Sequence, residues 1–345
     1  MGCEMENVMC RCNRNQPFQR NRKSTKQPQH KRMKINLRIF TFMFIALCAS
    51  AVSGAEPIKS AITGHGFVAD FYCTEGSSPK PGILFLGGSE GGKLEHHLPE
   101  FFATNGYAVL SLAYFKAEGL PDTLEMVPLE YFDKAIGWLT DNQKIQHGGI
   151  VVYGASKGAE LALLLASKKS EIKGVIAVAP SSVVWQGMPK AFWPPPQPRS
   201  SWSLQEKPVP FVPYDYSMRF DPGDPLAIYK FYKQSLTQKE SVEKAAIEVE
   251  KIHGPVLLLS GHDDGLWPSE EMGDAICKRL QEKAFKYKVE HVKYNDAGHT
   301  LNEYYMLGGT PEGNRKARID STGRMLEFLK MVNKSISGDA EKLHR

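Results

Sequence analysis

The chain has 345 residues, 42% of them hydrophobic and 23% charged, which suffices for one large domain with a well-filled core. Its formal charge of +5 divides unevenly: residues 1–55 hold ten Lys/Arg against Glu4 and Glu6, a balance of +8 that leaves −3 for residues 56–345. The basic excess belongs to the N-terminal tail, so the rest of the chain offers no electrostatic footprint for nucleic acid.

In chain order, residues 1–32 are polar, rich in Arg, Asn and Gln and without apolar periodicity, which predicts a disordered basic extension. From Met33 the pattern changes to a basic stretch containing Lys34 and Arg38, an apolar run from Ile39 to Val52, and Ser53-Gly54-Ala55. That order reads as a signal peptide at 33–55 cleaved after Ala55, and a start at Met33 would leave residues 1–32 untranslated. The apolar run is short of the roughly 20 residues that span a bilayer. The expectation is an exported chain, secreted or periplasmic, with no stable membrane span once matured. Of six cysteines only Cys73 and Cys277 lie beyond this segment, too few for a disulfide scaffold.

Residues 56–345 read as a single catalytic domain. Short β-branched runs alternate with helical stretches, as a mostly parallel sheet with helices on both faces requires. Strands are predicted at Phe67–Tyr72, Ile83–Leu86, Ala108–Leu112, Ile150–Tyr153, Val175–Ala179, Val256–Ser260 and Val289–Tyr294. Helices are predicted at Leu94–Thr104, Leu129–Asp141, Lys157–Ser167, Ser269–Lys283 and Asn314–Val332. One insertion, at about 181–254, breaks the alternation without a convincing strand. It carries Trp185, Trp193 and Trp202 and the rigid Trp193–Pro198 run, and reads as a lid or pocket wall.

The chemistry-bearing positions fall at strand ends. Strand Ile150–Tyr153 runs into Gly154-Ala155-Ser156-Lys157-Gly158 and then an Ala/Leu-rich helix. A serine on a sharp strand-to-helix turn exposes its hydroxyl, and the flanking glycines let the chain pass closely, so Ser156 is the expected nucleophile. The loop Gly87-Gly88-Ser89-Glu90-Gly91-Gly92 follows strand Ile83–Leu86, where the backbone N–H of Ser89 is expected to pair with that of Lys157 as an oxyanion hole. It carries neither a dinucleotide-binding nor a P-loop pattern. Gly261-His262-Asp263-Asp264 and Asn295-Asp296-Ala297-Gly298-His299 end the last two strands. They complete the order Ser, Asp, His, with His299 as base and Asp264 as the acid that orients it. Asp263 reads as a turn residue. His65, His96, His97, His147, His253 and His291 read as ordinary surface or structural histidines. No spacing holds a metal, and no cofactor is expected. The fold class that follows is the α/β-hydrolase fold with a lid insertion.

Together these residues resemble the C-terminal catalytic domain shared by acyl-CoA thioesterases and bile acid-CoA:amino acid N-acyltransferases, a dienelactone-hydrolase-like branch of the α/β-hydrolases. The matching segments run from about Pro81 to Val332 and include Ala113-Tyr114-Phe115, Leu120-Pro121, Leu129-Glu130-Tyr131-Phe132, Gly154–Glu160, Gly261–Trp267 and Ala297-Gly298-His299. The resemblance implies hydrolysis of a small-molecule acyl thioester or ester through an acyl-serine, with Ser156, Asp264 and His299 in the family's catalytic places. Acyl transfer to an amine is the alternative, and it usually goes with cysteine at the nucleophile position. An exported esterase or peptidase is a second alternative. Recognition of a CoA leaving group calls for a basic mouth, whereas Lys190, Arg199 and Lys207 in the insertion are scattered. Small leaving groups are therefore expected to serve at least as well as CoA.

Overall fold

A computed structural model describes residues 56–343 apart from 94–96, 191–196, 219, 220 and 222. The basic extension, the predicted signal peptide, His96 and Trp193 lie outside the described residues.

An eight-stranded sheet organises the chain. Its strands are β1 (Pro57–Ile62), β2 (Val68–Thr74), β3 (Lys80–Leu86), β4 (Ala108–Ala113), β6 (Ile145–Ala155), β7 (Ile172–Val178), β10 (Val256–Gly261) and β11 (Val289–Tyr294), while β5 (Val127–Pro128) belongs to a smaller sheet. The order across the large sheet is β1-β2-β4-β3-β6-β7-β10-β11. From β4 to β11 every neighbouring pair is parallel, and only β2 runs antiparallel to β1 and β4.

Side-chain alternation in the strands builds two cores. Leu84, Leu86, Leu110, Val152, Ala177 and Leu258 face one side. There they bury α2 (Leu129–Asp141), α3 (Lys157–Ala166) and α6 (Ser269–Glu282) through Phe132, Leu161 and Ile276. Ile83, Phe85, Val109, Val151, Ile176 and Leu257 face the other, against α1 (His97–Thr104) and α7 (Pro311–Leu343) through Phe102 and Leu329. Successive residues of a strand point to opposite faces, so strands covered on both sides read as unbroken apolar runs. Every helix residue of α3 is buried, which is why this helix, the Lys157 and Glu160 side chains apart, is apolar on every face rather than amphipathic.

This is the α/β-hydrolase architecture expected, and all seven predicted strands and five predicted helices form among the described residues, the first helix being described from His97. β1 went unpredicted because it is an antiparallel edge strand exposed at its four central residues, Ile58–Ala61, which leaves no apolar alternation to read. Helix α7 starts at Pro311, three residues before the predicted Asn314, and continues past Val332.

The stretch between β7 and β10 is more structured than its sequence suggested. It holds β8 (Trp202–Leu204), β9 (Lys207–Pro208), α4 (Ala227–Ser235) and α5 (Lys239–Ala245). β8 pairs in parallel with β5 and antiparallel with β9. Strands of two and three residues are below what periodicity can detect. Two of its tryptophans are interior: Trp185 and Trp202 are fully buried, and Trp185 packs with Val183, Val212, Tyr214, Phe231 and Tyr232 in a cluster that also takes in Trp267. Among the described residues no helix is long and apolar enough to cross a membrane.

Candidate active site

Ser156 sits between β6 and α3 with φ +56° and ψ −121°, a conformation that an L-residue adopts only when its surroundings force it. Its N–H donates to Val178 O at 2.9 Å, anchoring the turn to the neighbouring strand. The flanking glycines are steric requirements. A Cβ on Gly154 would lie 2.0 Å from Gly158 O, and one on Gly158 would lie 2.2 Å from Gly87 O, both backbone atoms with no room to move. Gly154→Ala is therefore expected to cost on the order of 4 kcal/mol, checked by chemical denaturation, because the clash is with the chain itself.

The loop after β3 lies against this turn. An added Cβ on Gly88 would sit 3.3 Å from Ser156 Cβ. Tyr114 clamps the loop, its hydroxyl donating to Gly87 O at 2.6 Å and Gly88 O at 3.1 Å. Burial, with the carboxylates of Glu90 and Glu160 adding to it, pushes the Tyr114 phenol well above its ordinary range, so it remains a donor. The Gly88 N–H donates to Glu90 Oε1 at 2.9 Å. Ser89 follows, half-buried, and Lys157 opens α3, where its N–H has no helical acceptor. The sequence reading missed Glu90 as the group that holds Gly88.

Asp264 and His299 come together as expected. Asp264 is buried, and its Oδ1 and Oδ2 lie 3.0 and 2.8 Å from His299 Nδ1. The same carboxylate accepts Leu266 N at 2.8 Å, Trp267 N at 3.1 Å and Ser269 Oγ at 2.5 Å, so donors surround it on every side. An acceptor pair facing Nδ1 places the proton there and leaves Nε2 as the free lone pair. His299 Nε2 is buried without a hydrogen-bond partner among the described residues. Asp263, by contrast, is exposed.

Supports for His299 come from residues that the sequence reading did not single out. Asn314, fully buried in the first turn of α7, accepts Gly298 N at 3.0 Å and donates to Gly308 O at 3.0 Å, while His299 N donates to Leu307 O. The Trp267 ring meets the His299 ring edge-on at 5.6 Å and lies 6.4 Å from the Trp185 ring. Asn314 and Trp267 each have a local signal, a polar residue at a helix start and an apolar residue after the acid. Neither reveals its partner.

The histidines set aside divide. His65, His97, His147 and His253 are exposed. His291 instead lies 2.8 Å from Ser260 Oγ by Nε2 and 3.1 Å from Asp274 Oδ1 by Nδ1, a serine, histidine and aspartate in contact outside the candidate site. Ser260 is fully buried within β10, so this group faces no substrate and reads as structural. Burial pushes the His291 imidazole down, favouring its neutral form. Among the described residues no group of His, Cys, Asp and Glu could hold a metal ion.

The family model of the BAAT / acyl-CoA thioester hydrolase C terminal matches residues 127–306. Mouse acyl-coenzyme A thioesterase 5 is 28% identical over 296 residues, covering 79% of this chain and 64% of its own length. Mouse mitochondrial acyl-coenzyme A thioesterase 2 is 30% identical over 268 residues, covering 73% and 55%. The chain thus spans less than two thirds of these relatives. Among solved structures, a putative dienelactone hydrolase from Klebsiella pneumoniae superposes with a TM-score of 0.51 at 16% identity, over 79% of this chain and 98% of the other. An acylaminoacyl peptidase from Pyrococcus horikoshii gives 0.52 at 12%, over 81% and 42%. At these identities the structural likenesses speak for the fold.

Proposed function

The chain belongs to the family of the BAAT / acyl-CoA thioester hydrolase C terminal, and from that premise we propose that it hydrolyses acyl thioesters or esters through an acyl-enzyme on Ser156. The observation that carries this reading is the Asp264–His299 pair with Nε2 left open, at the same sheet end as a serine on a strained turn. In the proposed reaction His299 Nε2 takes the Ser156 proton as Oγ attacks the acyl carbon. It then returns that proton to the departing thiolate or alkoxide. Water repeats the sequence to release the acid. Asp264 keeps the imidazole in the needed tautomer and stabilises the imidazolium that forms. The N–H groups of Lys157 and Ser89 serve as donors to the oxyanion, aided by the N-terminal end of α3.

The relatives' names support acyl-CoA as a substrate, while the formal charge of −3 over residues 56–345 supports small leaving groups. The expected result is that a matched acyl group is cleaved from a p-nitrophenyl ester at least as well as from CoA. Comparing kcat/KM for the two, each divided by the rate of its uncatalysed hydrolysis, isolates contacts to the leaving group. A preference for acyl-CoA of about a hundredfold, or about 2.7 kcal/mol in the transition state, would reverse that expectation and show that the CoA moiety is held. No hydrolysis of either class would overturn the proposed activity itself.

A further inference from the structure

The side chain of Lys157 runs inward from the residue after the candidate nucleophile. Its ammonium is buried at 2% exposure, against Glu160 at 0%. Lys157 Nζ donates to Glu160 Oε2 at 2.5 Å and Ser201 Oγ at 2.8 Å, and lies 5.6 Å from the Trp202 ring centroid. The other carboxylate oxygen, Oε1, accepts Trp202 Nε1 at 2.7 Å and Trp185 N at 3.2 Å. Ser201 Oγ in turn contacts Trp185 O at 3.0 Å. Every partner outside α3 comes from the 181–254 insertion.

Burial pushes the Lys157 ammonium down and the Glu160 carboxyl up, each against the attraction of the other. Such a pair is a poor source of stability, because the cost of desolvating two charges offsets most of their attraction and an apolar pair of similar volume usually serves as well. What it supplies is direction: the charges are satisfied in one arrangement of α3 against Trp185, Ser201 and Trp202, whereas apolar side chains tolerate sliding. Trp185 also stacks against Trp267, which packs on His299. One insertion residue therefore bears on the supports of both the serine turn and the histidine.

We propose that Lys157 and Glu160 are positioning residues, locking the turn that carries Ser156 and the Lys157 N–H to the insertion, so that the insertion's packing sets the geometry of the nucleophile. This rests on Ser156 being the nucleophile. The pair acts on the chemical step rather than on binding, since misplacement by a fraction of an ångström at an oxyanion donor lowers the rate without removing a substrate contact.

The test compares wild type, Ser156→Ala, Lys157→Met, the double variant Lys157→Met/Glu160→Leu, and Trp202→Phe on one p-nitrophenyl ester, with thermal melting alongside. The double variant should fold with a melting temperature near that of wild type, yet lose about 30-fold or more in kcat with KM within about threefold. Trp202→Phe keeps an aromatic six-membered ring and removes the indole N–H that donates to Glu160, and should lose about threefold to tenfold in kcat with KM unchanged. If the double variant does not fold, Trp202→Phe decides alone. A kcat within about twofold of wild type in whichever folded variants are obtained, or a change confined to KM, overturns the proposal. Activity that persists in Ser156→Ala shows instead that the nucleophile was misassigned.

Discussion

Ser156→Ala is expected to lower kcat by about 10⁴ to 10⁶ while leaving the protein folded, and to abolish labelling by a fluorophosphonate probe. The strain at this turn is held by the backbone rather than by the hydroxyl: Ser156 N bonds Val178 O, and Gly154 and Gly158 accept the close passage of the chain. Alanine inherits that backbone, so melting should change little. A fully active Ser156→Ala protein, or a labelled one, would move the chemistry to another residue. Ser260, which contacts His291, is fully buried and should not label in either protein.

Asp264→Asn is expected to cost about 10⁴ in kcat, and Asp263→Asn less than about threefold. Asparagine retains the shape of aspartate but can turn an NH₂ toward His299 Nδ1, which would put the imidazole proton on Nε2 and remove the base. The carbonyl oxygen cannot serve every group that now converges on the carboxylate: His299 Nδ1, the N–H groups of Leu266 and Trp267, and Ser269 Oγ. Asp263 is exposed and its backbone N–H, not its carboxyl, makes the bond to Ala297 O at 2.9 Å. Steady-state kinetics of the two variants side by side checks the ranking, and equal losses would place the orienting acid elsewhere.

The parts of the fold that were legible share one property: their signals are local. β6, the glycine-flanked serine and α3 form a continuous run from Ile145 to Ala166, and the helix α2 was read to its residue bounds at Leu129–Asp141. Candidate residues at Ser156, Asp264 and His299 could be proposed because each follows a strand, and open α/β sheets place their sites past the carboxyl ends of strands. The insertion resisted the same reading. Its strands are two and three residues long, and Trp185 and Trp202 are interior, where Trp202 finds Glu160 and Trp185 finds Trp267.

His291 and His299 state the division most sharply. Both belong to the same stretch of chain, and sequence separates them only by placing one inside a strand and the other beyond it. That Nδ1 of His299 faces Asp264, 35 residues away, is decided by the pairing of β10 with β11, which sets their two end loops side by side. The inward course of Lys157 toward Ser201, 44 residues on, is decided by how the insertion packs over α3. The sequence by itself determined the strand and helix periods, the glycine-permitted turn at Ser156 and the order of the candidate groups, since these follow from covalent neighbours and short-range sterics. Tertiary structure alone decided which polar atoms are satisfied and by whom. A buried lysine and a solvated one have the same neighbours in sequence, and only the groups that the fold brings within hydrogen-bonding distance offset the loss of water.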